Sequence, residues 1–266
     1  MIIIFFGLHS KEWMNILNNK LIIHFSKYPN ITQIENVYDV NELTNIDLSS
    51  VYIIPLMETH MIELYKNNIN ALMPLLKHIE MFSCKKMFAS YVKNNNLEEY
   101  TPKVYNSIDE IKNDKLYIIK PYNENNGRNM YIKKYVDKLD FDNKIVQEYI
   151  ENNIEYTAYI VSKNGEIIKC ITYAYHYNNT LHIKTFPKNT RKMTKIELDN
   201  KYIEQLELFF IKCQYTGISN TDFIIYDGQV KVFEINPRLG GGLVRFDKDD
   251  LVEILYEMIK LSKSII

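Results

Sequence analysis

The stretch that decides the fold is Asp222-Phe223-Ile224-Ile225-Tyr226-Asp227-Gly228-Gln229-Val230-Lys231-Val232-Phe233-Glu234-Ile235-Asn236-Pro237-Arg238. Two strand-like runs flank an Asp-Gly turn signal, the pattern of a β-hairpin. Glu234 and Asn236 stand two residues apart on the second run, so their side chains share one face of the strand. Val232, Phe233 and Ile235 around them are apolar, and an unpaired carboxylate on a mostly buried strand is costly. Two readings relieve that cost. In one, a hard cation such as Mg²⁺ takes the oxygens of Glu234 and Asn236, completed by substrate phosphates. In the other, the hairpin is an ordinary amphipathic one, with Glu234 capped by an arginine or a backbone amide. Register separates the roles further. A two-residue loop at Asp227-Gly228 pairs Asp222 with Phe233, whereas a three-residue loop, Asp227-Gly228-Gln229, pairs Asp222 with Glu234. If Asp222 is a third ligand, the longer loop is expected.

Working outward, the 266 residues have room for one large or two small domains. A net charge of −1 gives no global field to attract nucleic acid or acidic lipid, so neither is expected as a partner. Cys84, Cys170 and Cys213 are far apart and form no C-x-x-C pair. That argues against a zinc site and against a disulfide framework, and fits a reducing, cytoplasmic setting. Each reads as a small buried hydrophobe. The start, Met1-Ile2-Ile3-Ile4-Phe5-Phe6, lacks a basic flank and reads as a buried strand rather than a signal segment. No run reaches the roughly 18 apolar residues of a membrane span.

Residues 1–80 alternate short apolar runs with helical stretches. Strands are expected at Ile2–Phe6, Leu21–Phe25 and Tyr52–Ile54, and helices at Lys11–Asn19 and Glu58–Lys77, the latter open to a break at Pro74. This predicts a small α/β domain with a parallel sheet. From residue 81 on, a helix opens at Ser83-Cys84-Lys85-Lys86. Strands then dominate: Lys103–Tyr105, Leu116–Lys120, Met130–Lys134, Lys144–Tyr149, Glu155–Val161, Glu166–Ala174 and Leu181–Thr185. Thr194-Lys195-Ile196-Glu197 has the form of a capping box, which predicts a helix from there to Gln214. Asp249 is read as the cap of a last amphipathic helix. Many strands with few helices predict an α+β domain over residues 81–266.

Two further stretches carry chemistry. Lys120 ends a buried strand, where it can set one positive charge against a phosphate. The polar loop after it, Pro121 to Met130, contains Asn126-Gly127 and Asn129, residues that tolerate positive φ and can turn backbone N–H groups toward an anion. Arg128 adds a bidentate donor. A merely basic surface loop explains the same residues. In Val146-Gln147-Glu148-Tyr149-Ile150-Glu151-Asn152-Asn153-Ile154-Glu155 the centre can offer main-chain groups to an adenine edge and Glu155 can accept from ribose hydroxyls; two surface acids on a β-meander is the alternative.

Taken together these pieces resemble the ATP-grasp superfamily over residues from about 80 to 262. The order matches: a lysine at a helix start, a second Lys-Pro strand end, a Glu-Tyr-Ile-x-x-x-x-Glu hinge, then Asp and Glu-Ile-Asn-Pro-Arg. The loop Pro121–Met130 is similar to the glycine-rich loop of carbamoyl-phosphate-synthetase-like members at Gly127, Arg128 and Met130, with Asn126 and Asn129 in place of glycines. The resemblance implies two α+β subdomains clasping ATP, a lid at about 115–152, and a small α/β domain ahead of them. It also implies roles. Lys86, with its neighbour Lys85 as the other candidate, would approach the α-phosphate. Lys120 would bridge α- and β-phosphates and Arg128 would act at the transferring end. Glu148 would accept from the adenine amino group, the main chain of Tyr149, Ile150 and Glu151 would read the base, and Glu155 would hold the ribose. Asp222, Glu234 and Asn236 would hold two Mg²⁺ ions, with Mn²⁺ as a substitute. Arg238 would stabilise the γ-phosphate in flight.

The implied reaction is carboxylate–amine ligation through an acyl phosphate, releasing ADP and phosphate, with small-molecule carboxylate and amine partners. A kinase of the same superfamily and a nucleotide-binding module without turnover are the other readings. A homodimer is compatible with the sequence. The 123–129 loop would be the lid that excludes water. Gly240, Gly241 and Gly242 either let backbone approach a substrate or form a flexible turn. Lys184, Lys188, Arg191 and Arg245 are candidate holders of the acceptor carboxylate or plain solvated charges. His176 and His182 are candidate general bases, with a surface role the simpler reading.

Overall fold

The computed structural model of the chain describes residues 1–28, 30–44, 46, 47, 49, 51–112, 114–122, 129–134, 141, 143–183 and 192–263. The chain opens with β1 (Ile2–Phe6), α1 (Lys11–Ile16), β2 (Gln33–Val37), α2 (Val40–Leu43), β3 (Val51–Pro55) and α3 (Glu58–Lys66). The three strands form a parallel sheet in the order β2-β1-β3, as the apolar runs at Ile2–Phe6 and Tyr52–Ile54 predicted. Leu21–Phe25, expected as a strand, is not one. Those residues form a 3-10 helix over Asn19–Phe25, started by the Asn18 side chain accepting from the Lys20 N–H at 2.9 Å. Leu21 and Phe25, four apart, are its buried residues, a helical spacing that a five-residue apolar run conceals. The second strand is instead the more polar Gln33–Val37.

α4 (Leu76–Ser83) runs through the junction expected at residue 80, and α5 (Lys85–Asn94) follows at once. β4 (Val104–Tyr105), β5 (Tyr117–Pro121), β6 (Tyr131–Lys133) and β7 (Lys144–Glu148) make an antiparallel sheet in the order β4-β7-β5-β6. β8 (Ile154–Lys163), β9 (Glu166–His176), β10 (Lys192–Ile196), α6 (Asn200–Ile211), β11 (Gly217–Tyr226), β12 (Gln229–Asn236), α7 (Gly241–Phe246) and α8 (Lys248–Lys263) complete the chain. Their five strands form an antiparallel sheet, β10-β9-β8-β11-β12. The fold is α+β with a small parallel sheet at its N-terminus. The helix expected from Thr194 begins later: Thr194 lies in β10 opposite Ala174, and the Asp199 carboxylate caps α6 by accepting from the Lys201 N–H at 3.0 Å. Similarly Asp247, not Asp249, caps α8, accepting from the Asp249 and Asp250 N–H groups at 2.8 and 3.2 Å.

The central sheet separates two cores. Alternation along β8 sends Ala158 and Ile160 toward α5 and α6, where they pack with Phe88, Phe209, Phe210 and Phe223. Tyr159 and Val161 point the other way, into a core shared with Ile3, Phe5 and Trp13 of the N-terminal segment and Leu243, Leu251 and Leu255 of α7 and α8. At the far end of that second face the side chains turn polar, and there the cleft opens.

Candidate active site

Register decides which side chains meet in the cleft. Asn220 and Asp222 on β11 lie opposite Tyr159 and Thr157 on β8, and opposite Asn236 and Glu234 on β12. Glu155 stands two residues before Thr157 and lies opposite Tyr175 on β9. Cross-strand partners share a face, so one face of three strands presents Glu155, Thr157, Asp222, Asn220, Glu234 and Asn236. All of them line a cleft of about 990 Å³. The Thr157 hydroxyl donates to Asp222 Oδ1. Asn236 Nδ2 donates to Asn220 Oδ1 and to Glu234 Oε1, both at 3.2 Å.

Asp222 is opposite Glu234, yet the turn is not the three-residue loop expected for that pairing. Tyr226 pairs with Gln229, leaving the two-residue turn Asp227-Gly228, with φ of 48° and 76°, the type I′ geometry that Asp-Gly favours. The register is recovered by a bulge: Phe223 pairs with Val232, Asp222 with Glu234, and Phe233 is the extra residue between them. Phe233 lines the cleft beside Glu234, and its ring lies 5.5 Å from Lys120 Nζ.

Lys120 comes from the second wall. On β5 and β7 the residues Ile118, Lys120 and Gln147 face the cleft, while Tyr117, Ile119 and Val146 form the small core behind them. Lys120 Nζ donates to Gln147 Oε1 at 2.8 Å, and Gln147 Nε2 donates to the Pro102 carbonyl at 3.1 Å. Burial pulls the Lys120 pKa down to about 8, helped by the nearby charge of Lys85 and opposed by the carboxylates of Glu234, Glu155 and Asp222. Of the two helix-start lysines, Lys85 is the one whose charge is felt at Lys120. Lys86 is exposed, with its Nζ 5.6 Å from the Tyr122 ring, and neither lysine is in the cleft lining.

The hinge after β7 divides its tasks. Glu148 lines the cleft, but its carboxylate accepts from Lys115 Nζ at 3.1 Å. The Tyr149 N–H is taken by the Leu116 carbonyl at 3.0 Å, and its hydroxyl accepts from the His182 N–H at 2.9 Å. Ile150 lines the cleft. Glu151 is exposed and accepts from Thr180 Oγ1 at 3.2 Å. Glu155 is met by His182 Nε2 at 2.9 Å and Tyr177 Oη at 3.4 Å, with the His182 ring stacked on Tyr177 at 3.6 Å. His182 is thus a buried wall of the cleft rather than a surface residue, which no spacing in the sequence marked.

At the other end, Arg238 Nε lies 2.9 Å from each carboxylate oxygen of Glu58, the first residue of α3. Arg245 Nε donates to Glu12 Oε2 at 2.7 Å and its Nη1 to the Gly241 carbonyl at 3.3 Å. Both arginines and Gly240, Gly241 and Gly242 line the cleft. The glycines are tightly packed rather than flexible. A Cβ on Gly242 would lie 2.2 Å from the Tyr159 hydroxyl, and one on Gly240 2.4 Å from the Tyr159 ring. Asn129 has a φ of 52°, the left-handed conformation anticipated for it. Arg128 with the rest of the 123–128 loop, and Lys184, Lys188 and Arg191, lie outside the described residues. Glu58, Asn220, Thr157 and Gln147 were missed by sequence reasoning; only Asn220 carried a local signal, standing two residues before Asp222.

Residues 85–242 match the family model of the ATP-grasp domain. The chain belongs to the ATP-grasp family. A sequence comparison with curated proteins gave no match. Among solved structures, D-alanine–D-alanine ligase from Bacillus anthracis is similar at 15% identity and a TM-score of 0.65, covering 99% of this chain and 98% of that one. Phosphoribosylamine–glycine ligase from Thermotoga maritima gives 13% identity and a TM-score of 0.67 over 98% and 75% of the two chains. L-amino acid ligase from Bacillus licheniformis gives 15% and 0.61 over 92% and 69%. At these identities the likeness is one of fold. As an ATP-grasp chain, this protein has a donor set suited to Mg²⁺: two carboxylates and an amide on one face, all able to offer oxygen. Among the described residues no group of three His, Cys, Asp or Glu side chains gathers as a metal cluster. No described helix is long and apolar enough to cross a membrane.

Proposed function

We propose that the chain is an ATP-dependent carboxylate–amine ligase acting on small molecules through an acyl phosphate. The observation that carries this reading is the register of β8, β11 and β12, which gathers Asp222, Asn220, Glu234 and Asn236 on one face of the cleft across from buried Lys120. In the proposed reaction a carboxylate oxygen attacks the γ-phosphorus of ATP and the bond to ADP breaks. An amine then adds to the acyl carbon and phosphate leaves. Phosphoryl transfer asks mainly for positioning and charge neutralisation. Mg²⁺ held by Asp222, Glu234 and Asn236 would neutralise phosphate charge. Lys120 supplies a preset cation, held by Gln147. Ile150 and Glu155 bound the base and ribose end. Arg238, oriented by Glu58, faces the transferring phosphate. The proposed organisation is an ATP-binding unit from residue 81 onward, with residues 1–80 closing the acceptor end, in the cytoplasm.

The test is ADP release with a carboxylate panel and hydroxylamine as a general trap for acyl phosphates. The wild-type chain yields ADP and a hydroxamate. Glu234→Ala loses ADP formation by about a hundred- to a thousandfold, a loss of the size seen when transition-state charge stabilisation is removed, while its circular dichroism stays that of the wild type. Full activity in Glu234→Ala would sink the assignment, and a phosphorylated acceptor that hydroxylamine does not trap would show a kinase.

A further inference from the structure

The β1–α1 loop, Gly7-Leu8-His9-Ser10, has no part in the nucleotide reading, yet His9 and Ser10 line the cleft. Gly7 has a φ of 98°, and a Cβ there would lie 2.1 Å from the His60 ring, so glycine is required for the turn. The turn lays the His9 imidazole on Trp13, with centroids 3.7 Å apart and planes 17° from parallel. The Ser10 N–H donates to His9 Nδ1 at 2.8 Å. An accepting Nδ1 carries the lone pair, so in the neutral ring the proton sits on Nε2. Burial, then the charges of Arg238 and Arg245, lower the His9 pKa to about 4, against a smaller opposing pull from Glu12. His9 is therefore a neutral N–H donor in a locally positive field.

Two more donors converge there. Trp13 is 1% exposed, and its indole N–H is buried with no hydrogen-bond partner, a costly state that an incoming acceptor atom would relieve. Arg245 is the second. Its Nη1 and the indole Cζ2 lie 2.7 and 3.6 Å from the point a Cβ on Gly241 would occupy, so guanidinium and indole meet at one glycine. Arg245 is tethered by Glu12 on α1, whereas Arg238 is tethered by Glu58 on α3. The two guanidiniums are thus anchored from different helices, and both put positive charge near His9. We propose that His9, Trp13 and Arg245 form an oxyanion subsite that holds a second, non-reacting carboxylate or phosphate of the acceptor acid. The word acceptor rests on the ligase reading; the binding of the anion does not.

Trp13 is the chain's single tryptophan, so intrinsic fluorescence of the full-length protein reports this subsite directly. Succinate, glutarate and 3-phosphoglycerate are titrated against butyrate and valerate, with and without MgATP. Acids with a second anion produce a saturable change in emission, at least tenfold tighter than any response to the monocarboxylates. The winner between dicarboxylates and the phosphate ester identifies the anion. Arg245→Met and His9→Ala each weaken that binding at least tenfold, while His9→Gln, which keeps an N–H donor, restores most of it. In the ADP assay the same acids show the same ranking in KM, with the ATP KM of the variants unchanged. A response equal for mono- and dianionic acids, or none, overturns the subsite even if ADP is released. Selective anion binding without ADP release upholds the subsite and overturns the ligase reading instead.

Discussion

Lys120 carries its charge into a wall of the cleft where only 8% of its surface is exposed. A lysine whose folded pKa of about 8 lies below its unfolded value, near 10.4, costs stability while protonated. Between those two values the unfolded chain binds more protons, so this lysine makes stability rise with pH across that window. ATP reverses the balance, because phosphate oxygens favour the charged form. Binding at pH 8 should therefore take up about half a proton, measurable by calorimetry in buffers of different ionisation heat, and affinity should fall as pH rises above 8. Lys120→Met abolishes the uptake; an unchanged uptake would mean another group titrates. The place of this residue in the cleft was legible, since a lysine ending an apolar strand before proline stands out. Its partner Gln147, 27 residues away, was not, because side-chain hydrogen bonds across strands leave no trace in local spacing. The same holds for Glu58 and Arg238, 180 residues apart in sequence and 2.9 Å apart in space.

The β11–β12 hairpin shows where element-scale inference is strong and where it slips. With unbroken pairing only a three-residue loop sets Asp222 opposite Glu234, yet the two are opposite each other across a two-residue turn. The assumption that strands pair without interruption then forced the wrong loop length, because a bulge supplies the extra residue that the turn does not. Thr194 failed for a related reason: a capping-box spelling fits a strand end equally well when the neighbouring strand β9 is long enough to pair with it. The bulge makes a direct prediction. Deleting Phe233 leaves a regular two-residue hairpin in which Asp222 still faces Glu234 and Asn220 still faces Asn236. The chain folds and keeps Asp222 and Glu234 together on the cleft face, but Lys120 loses the aromatic face 5.5 Å away. A contact of that kind is worth about 1 kcal/mol, so ATP affinity falls roughly fivefold. Equilibrium binding of ATP with and without Mg²⁺ checks this. A complete loss of Mg²⁺ dependence would show that the bulge, not the register, sets the metal face.

At the scale of the whole molecule the parallel sheet and the larger α+β part are tied through one core. Ile3, Phe5, Trp13, Leu17, Tyr52 and Ile54 pack in the same cluster as Tyr159, Tyr173, Leu243, Val252 and Leu255. The family-bearing segment, residues 85–242, therefore has one sheet face that depends on residues before it and on α8 after it. The sequence separated these parts by their strand and helix patterns, which report local periodicity and are silent on which faces meet. The cleft follows the same logic, since its Arg238 and Arg245 end takes Glu12 from α1 and Glu58 from α3 to hold arginines that follow β12. Residues 81–266 produced alone would lose Ile3, Phe5, Trp13, Leu17 and Phe25 from the core they share with α7 and α8, leaving an apolar patch of a kind that soluble monomers rarely expose. That fragment should bind a hydrophobic dye, and its urea unfolding followed by circular dichroism should lack a cooperative transition. The full chain should unfold in one step, with residues 1–80 and α8 losing structure together. A sharp, reversible transition in the fragment would instead show that the central sheet and α8 close their own core, and that residues 1–80 line the cleft without supporting the fold.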